Sequence, residues 1–432
     1  MTIMTAIDQI NALVLTCHGR SGSMLMQTLF DSHPQVISFP SSHLRYDYRG
    51  KDGADWALTA RRFMAANPAL FNTEFSYFGA VWSATTALLG PDGADHARVD
   101  GEAFVAAFAR LAAEAAGAAE IDRRRFFCLL HLALAESLGF DPFKIKYILF
   151  HQHSYHDRDL GQLLADFPHA YMIATIRDPR EGNLSWLKVL DRRRRTRHNF
   201  CAFIGAVLEN RRAFSRLAAW RARFDPDHVR MVDLNRLHIQ QDQAMRALAD
   251  WLGVEFCPSL RHSTVVGLTW WGNDHALKPR SGFDPAKAVY RYPTDLPRRE
   301  LEIIEYFHGP VIAALGYAPV ETKLSRARVL QSVLFDPQFI LGDSAQPLAL
   351  ALEQARYVAA QSRIPETGGH DRDSWPWLPL PVARILRATR IAAPLIGQWF
   401  DLLRWPARAL RVIRASAPGS AFPVMPAPGE LL

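Results

Sequence analysis

Between Leu13 and Ser38 the chain reads LVLTCHGRSGSMLMQTLFDSHPQVIS, an apolar run that breaks into a short basic Gly/Ser loop and then resumes with helical periodicity. Leu13-Val14-Leu15 has the composition of a buried strand, and Ser23 to Phe30 alternates apolar and polar residues at helical spacing before Pro34. A loop running from the carboxyl end of a strand into a helix aims unpaired backbone N–H groups and the positive end of the helix dipole at one point, where an anion can sit. Arg20 to Met24 form that cradle: Gly22 lets the backbone approach without a Cβ, Ser21 and Ser23 offer hydroxyl donors, and Arg20 adds a permanent charge. The loop lacks the Gly-Lys-Ser/Thr ending of a Walker A motif, which would set a lysine against β- and γ-phosphates. Taken alone, the stretch also reads as a tight strand-to-helix turn.

A second segment, AYMIATIRDPREGNLSWLK from Ala170 to Lys188, repeats the layout. Tyr171 to Ile176 is a buried strand, Arg177 stands at its carboxyl end, Pro179 starts a helix, and Ser185 follows Arg177 by eight positions. Two such units ending on the same edge of one parallel sheet make a site for a ligand with two separated anionic groups. Arg177 and Ser185 would hold one group and Arg20 to Met24 the other.

Together, RSGS…LFDSHP and IRDPR…S resemble the 5′-phosphosulfate loop and the 3′-phosphate motif of the sulfotransferases that use 3′-phosphoadenosine 5′-phosphosulfate. VRMVDLNRLH resembles that family's strand ending in an acidic-Leu pair, and ALADWLGVEF its following helix end. NDHALKP and LEIIEYFHGPVIAALGYAP resemble the closing segment of the tyrosylprotein and carbohydrate branch. The pieces occur in family order over residues 10–320. The resemblance implies an α/β fold: a doubly wound parallel sheet of the P-loop-like sulfotransferase type, with a helical insertion and a helical C-terminal extension. It implies 3′-phosphoadenosine 5′-phosphosulfate as donor co-substrate, with no metal. It gives Arg20 the catalytic charge on the bridging oxygen, Ser21, Gly22, Ser23 and Met24 the 5′ end, and Arg177 and Ser185 the 3′-phosphate. Asn273 and Lys278 fall where relatives contact the nucleotide, although an ordinary surface loop has the same composition.

The acceptor needs a general base, and here the sequence departs from its relatives. Tyrosylprotein sulfotransferases have a glutamate pair just after the segment equivalent to DSHPQV, where this chain reads FPSSHLR. Cytosolic sulfotransferases use the histidine of a Lys-Thr-His element before the 3′-phosphate strand, and FHQHSYHD supplies His151, His153 and His156 in that region. Histidine titrates near neutrality and suits proton removal. His153 is the first candidate and His151, on the same face of a continuing strand, the second. The expected lysine is absent; Gln152 holds the nearest position, with Lys144 or Lys146 as substitutes. His43 and Asp47 are rival bases, and the histidines also read as strand-end or solvent-facing residues.

Four scattered cysteines, Cys17, Cys128, Cys201 and Cys257, show no CxxC spacing, against a zinc site or disulfide framework. The first ten residues carry no basic n-region or apolar core of a signal peptide, so a cytoplasmic location is expected. A formal charge of +7 and a pI near 9.3 suit anionic ligands. Nucleic acid is not expected, because no zinc-finger, helix-turn-helix or aromatic RNA-binding pattern accompanies the charge.

Residues 10–320 are expected to form the sulfotransferase domain, with residues 51–142 a helical acceptor-side insertion, 321–375 a spacer and 376–416 a basic amphipathic tail. In the tail, Arg384, Arg387, Arg390, Arg404, Arg408 and Arg411 recur beside Leu and Trp at helical spacing. Such a segment reads equally as an interfacial helix on the inner face of an anionic membrane and as a cover helix of the domain. Pro394, Asp401 and Arg404 interrupt it too often for a membrane span of about 20 residues. DRRRRTRH, Asp191 to His198, reads as a grip on a polyanion or as a solvated helix face. Trp270-Trp271 reads as a stacking platform for adenine or a sugar ring, as core packing or as a lid hinge. The expected acceptor carries a hydroxyl or amine on a glycan, lipid or small molecule. A catalytically silent nucleotide-binding or membrane-associated relative is the alternative. A nucleoside-type kinase would need a lysine-ended loop and metal-binding carboxylates, which the sequence does not offer.

Overall fold

The computed structural model describes residues 1–40, 44, 46, 55–74, 89–117, 121–152, 157–194, 200–272, 288–336, 339–340 and 403–417. Five strands form one parallel sheet: β1 (Asn11–Cys17), β2 (Val36–Ile37), β3 (Tyr147–His151), β4 (Tyr171–Ile176) and β5 (Val229–Asp233), in the order β2-β3-β1-β4-β5. A short hairpin follows, β6 (Thr264–Val265) with β7 (Leu268–Thr269). The helices are α1 (Ile3–Gln9), α2 (Ser23–Phe30), α3 (Trp56–Ala66), α4 (Gly101–Ala116), α5 (Arg123–Ser137), α6 (Asp157–Asp166), α7 (Pro179–Arg194), α8 (Phe200–Arg221), α9 (Leu234–Ile239), α10 (Gln241–Leu252), α11 (Tyr292–Asp295), α12 (Arg298–Ala314) and α13 (Arg326–Leu334). A last helix, α14, spans 403–415.

Alternation along the strands splits the core into two layers. Leu13, Leu15, Leu149 and Ile173 pack with Leu25, Met26 and Leu29 of α2 and with Met245 and Leu248 of α10. Ala12, Val14, Phe150, Met172 and Ala174 face the other way, onto Phe104, Phe108, Phe127, Phe214 and their neighbours in α4, α5 and α8. The helix after β1 therefore covers one face of the sheet, while α8, which follows the β4 unit, covers the other. Strand order reverses at β1 and β4, so a crevice opens between their carboxyl ends, the usual ligand position in a doubly wound sheet. The α/β expectation holds.

The described part of 51–142 holds α3, α4 and α5, joined by irregular stretches with isolated bridges between Asn72 and Arg98 and between Leu89 and Asp95. The alanine-rich stretch forms α4, capped by Asp100, whose side chain accepts from the backbone N–H groups of Glu102 and Ala103. Residues assigned from sequence to a spacer include α13, which joins α14 in a third apolar cluster: Val329, Val333 and Val412 pack with Leu184 and Leu187 of α7, Phe203 and Val207 of α8, and Phe307 of α12. Trp405 Nε1 donates to Leu334 O at 3.3 Å, Arg408 to Ile340 O at 2.7 Å, and Arg211 to Ala415 O. The described end of the tail is thus a cover helix; residues 376–402 lie outside the described residues. No helix among the described residues is long and apolar enough to cross a membrane.

Candidate active site

The loop after β1 follows from its glycines. Gly22 caps α2 with φ +94°, and a Cβ there would sit 2.5 Å from Leu234 Cδ1. A Cβ on Gly19 would meet the indole Nε1 of Trp186 at 2.5 Å, so the loop backbone lies directly under that ring. No side chain caps the amino end of α2, leaving its first N–H groups to the crevice, the arrangement that suits an anion. Ser21 is buried and its hydroxyl donates to His18 O at 2.7 Å, with Thr175 Oγ1 of β4 at 3.1 Å. That hydroxyl therefore ties the loop to the neighbouring strand; its sequence reading as a ligand donor does not follow from these contacts. Ser23 is buried at the start of α2 and Met24 is half-buried.

Arg177 stands one residue beyond β4 and is only 7% exposed. Its Nη2 lies 3.3 Å from Glu181 Oε2, one helical turn on, and its Nε donates to Asn235 Oδ1 at 3.4 Å. Burial lowers the Arg177 pKa from its ordinary value, with Glu181 working in the opposite direction. The fully buried Glu181 also accepts from the backbone N–H groups of Arg291 and Tyr292, the latter at 2.7 Å, and Asn235 Nδ2 donates to Ala288 O at 3.0 Å. Both partners of Arg177 thus fasten the segment 288–292. Behind them, buried Arg180 pairs with Asp178 at 2.7 Å and with Glu305 at 3.1 Å, donates to Ala318 O at 3.0 Å and lies over the Tyr292 ring. This network locks the turn from β4 into α7 against α12.

The two loops meet. Arg20 Nε donates to Ser185 Oγ at 3.1 Å, and the backbone N–H of Arg177 donates to His18 Nε2 at 2.9 Å. Arg20 itself takes a positive φ of 67°, unusual for a side chain other than glycine, asparagine or aspartate. Arg20, Ser185 and Arg177 therefore occupy one crevice, as their sequence positions imply. Two neighbours of these loops had no signal in the sequence: His18 and Trp186. Glu181 could have been found, because a carboxylate four residues after an arginine on a helix is a standard pairing position.

His151 is the last residue of β3 and pairs in register with Leu15. Gln27 Nε2 donates to Phe39 O at 2.9 Å, which turns its Oε1 toward His151 Nδ1 at 2.8 Å. In the neutral ring the proton therefore sits on Nδ1 and the lone pair on Nε2. His153, His156, His43, Asp47, Asn273 and Lys278 lie outside the described residues, as do the side chains of the 191–198 arginine run. Lys144 and Lys146 do not replace the family's lysine: both precede β3, and Lys146 Nζ donates to Gly253 O at 2.7 Å. At about 3.3 Å per residue the strand keeps Lys146 about 17 Å from the crevice end. Trp270 and Trp271 are core residues, Trp271 Nε1 donating to Gly90 O at 2.6 Å, and do not form a stacking platform. Among the described residues no group of three His, Cys, Asp or Glu side chains is placed to hold a metal ion.

Three solved structures are similar to the chain in part. The sulfotransferase domain from the curacin biosynthetic pathway is 11% identical, covering 72% of this chain and 99% of that one with a TM-score of 0.42. The sulfotransferase domain from the Synechococcus PCC 7002 olefin synthase is 16% identical, covering 67% and 88% with a TM-score of 0.40. Sulfotransferase STF1 from Mycobacterium tuberculosis H37Rv is 15% identical, covering 60% and 72% with a TM-score of 0.31. No curated protein matches. The sequence pattern of the sulfotransferase family matches residues 12–258, more than half of the chain, including the loops after β1 and β4, and the chain belongs to that family.

Proposed function

We propose that the protein moves a sulfuryl group from 3′-phosphoadenosine 5′-phosphosulfate to a hydroxyl or amine of a glycan, lipid or small-molecule acceptor, in the manner of the tyrosylprotein and carbohydrate branch. The observation that carries this reading is the contact between Arg20 and Ser185, which puts the charge of one anion-binding loop beside the hydroxyl of the other. A ligand bearing phosphates at two positions of one ribose is the kind of molecule that can engage both loops at once. Its 5′ end would rest on the backbone of the β1 loop and Arg20, and its 3′-phosphate on Arg177 and Ser185. Asn273 and Lys278 are proposed to add contacts from the closing segment.

In the transfer step the acceptor oxygen attacks sulfur and the bond from sulfur to the 5′-phosphate oxygen breaks. Adenosine 3′,5′-bisphosphate leaves, and the acceptor's proton passes to a base. Charge accumulates on the departing oxygen, so a guanidinium fixed there stabilises the transition state more than the ground state. Arg20 takes that role. His153 is the proposed base, with His151 the alternative whose Nε2 lone pair is set by Gln27. Residues 376–402 are proposed to meet an anionic membrane surface, which favours a lipid or lipid-linked acceptor on its cytoplasmic side.

A second reading, a relative that binds the nucleotide without transferring sulfuryl, is favoured by the position of Lys146 at the far end of β3. Sulfur-35-labelled donor, incubated with tyrosine peptides, oligosaccharides, lipid-linked sugars and phenols, separates the two. Label appearing on one acceptor class with matching release of the bisphosphate supports transfer. Tight nucleotide binding without label on any class supports the silent reading.

A further inference from the structure

We propose that His18 is a positioning residue that pins the loop after β1 to the loop after β4 and so fixes the spacing between the two anion-binding sites. His18 is wholly buried at the mouth of the crevice. Its Nε2 accepts from the backbone N–H of Arg177 at 2.9 Å, its Nδ1 lies 3.0 Å from Asn210 Oδ1, and its ring stacks on Phe214 with centroids 4.1 Å apart. A backbone N–H can only donate, so Nε2 must carry the lone pair; the ring proton is then on Nδ1 and is given to Asn210. One neutral imidazole thereby joins three elements: the β1 loop, the first residue after β4, and α8. Burial pushes its pKa down to about 3, consistent with a ring that stays neutral while holding both bonds. A second tie runs in parallel, from Ser21 Oγ to His18 O and Thr175 Oγ1, so the backbone of His18 is held as firmly as its ring. Gly182 passes close by: a Cβ there would stand 3.5 Å from His18 Cε1, which packs the first turn of α7 onto the imidazole.

This inference rests on the proposed donor, because spacing matters only for a ligand that spans both loops. A bidentate ligand gains from two sites only while their separation matches its own, so a loosened pin should remove the benefit of the second phosphate and spare a ligand using one site. Calorimetry with adenosine 3′,5′-bisphosphate and adenosine 5′-monophosphate reads this as a ratio of dissociation constants. In His18→Phe, which keeps the stack on Phe214 but accepts nothing, the bisphosphate should weaken at least tenfold and the monophosphate less than threefold. His18→Gln can place an amide oxygen near the Arg177 N–H and should recover part of the ratio. A folded His18→Phe protein with the wild-type ratio, or the same ratio in both variants, would overturn the proposal. Nitrogen-15 spectra of the wild-type imidazole provide a measurement that needs no variant. A neutral ring protonated at Nδ1 at pH 7 is expected, and protonation at Nε2 overturns the pin. If the wild-type protein binds neither nucleotide, the donor reading fails, and the nitrogen spectra still decide the tie between the loops.

Discussion

Arg20 Nε and Ser185 Oγ, 165 residues apart in the chain, lie 3.1 Å from each other across the crevice between β1 and β4. In the proposed donor complex the Ser185 hydroxyl would be shared between a guanidinium and a phosphate and so couple two subsites, whereas Arg177, set against Glu181 and Asn235, would serve one alone. Arg177→Ala should therefore weaken adenosine 3′,5′-bisphosphate at least tenfold while leaving adenosine 5′-monophosphate nearly unchanged, a charge-assisted contact being worth about 1.5–3 kcal/mol. Ser185→Ala should weaken both, the bisphosphate more, because the contact from Arg20 Nε to Ser185 Oγ is lost. Equal losses of both nucleotides in Arg177→Ala would remove Arg177 from the 3′-phosphate.

The base is tested by turnover at fixed nucleotide affinity. His153→Ala should lower turnover about 100-fold or more with donor binding retained, the usual contribution of a general base. Near-normal turnover moves the role to His151. Gln27→Leu then becomes informative, because it removes the oxygen that fixes the His151 tautomer.

Gly22 separates strain from crowding. Gly22→Ala would carry a Cβ at φ +94° and 2.5 Å from Leu234, whereas Gly139→Ala has φ +80° with nothing within 4 Å. The Gly139 variant should lose only the left-handed strain, about 1–2 kcal/mol in chemical unfolding. The Gly22 variant should lose more than that and bind the bisphosphate poorly. Equal losses would mean that Leu234 yields without moving the loop.

Acid should unfold the protein through its buried imidazoles. Burial pushes His18 and His308 down to about 3 and His131 to about 4, against an ordinary value of 6.5. Below pH 6.5 the unfolded chain binds protons that the folded one refuses, so their stabilising contribution is complete above that value and declines as pH falls toward 3–4. Each such histidine contributes about 1.4 kcal/mol per pH unit in that window. Melting temperature measured from pH 7 to pH 4.5 should fall steadily, and less steeply in His131→Phe. A flat profile would contradict neutral, buried rings.

The tail divides into two tests. Removing residues 403–432 uncovers Val329, Val333 and the α7–α8 surface, so the unfolding midpoint should drop. Reversing Arg384, Arg387 and Arg390 to Glu leaves the α14 contacts intact and should abolish low-salt sedimentation with acidic liposomes, an attraction of about 1 kcal/mol per basic residue that salt screens. An intact protein that ignores such liposomes has no membrane partner in this segment.

Much of the sheet was legible because its strands are short apolar runs bounded by polar turns, and Tyr171–Ile176 has the limits that its pattern predicts; helix α2, Ser23–Phe30, was legible from its helical spacing. The two loops stood out as glycine, arginine and serine at strand ends, a composition that a tight strand-to-helix turn shares, and their meeting in one crevice is a fact of the tertiary fold. His18 and Asn210 were not, being 192 residues apart and joined only when α8 folds over β1. The arginine spacing of the tail marked an amphipathic helix but not its partner; that Val412 turns inward onto Phe307 and Val333 is a fact of tertiary packing. Lys146 looked usable because distance along a strand is invisible in a motif, and its end of β3 proved to be the wrong one.

The crevice between β1 and β4 is proposed to take a nucleotide bearing both a 5′ and a 3′ phosphate. Titration calorimetry of the full-length wild-type protein with adenosine 3′,5′-bisphosphate, against adenosine 5′-monophosphate at the same salt, tests it most directly. One site per chain and at least tenfold tighter binding of the bisphosphate are predicted. Absence of binding, or equal affinity for the two nucleotides, would contradict it.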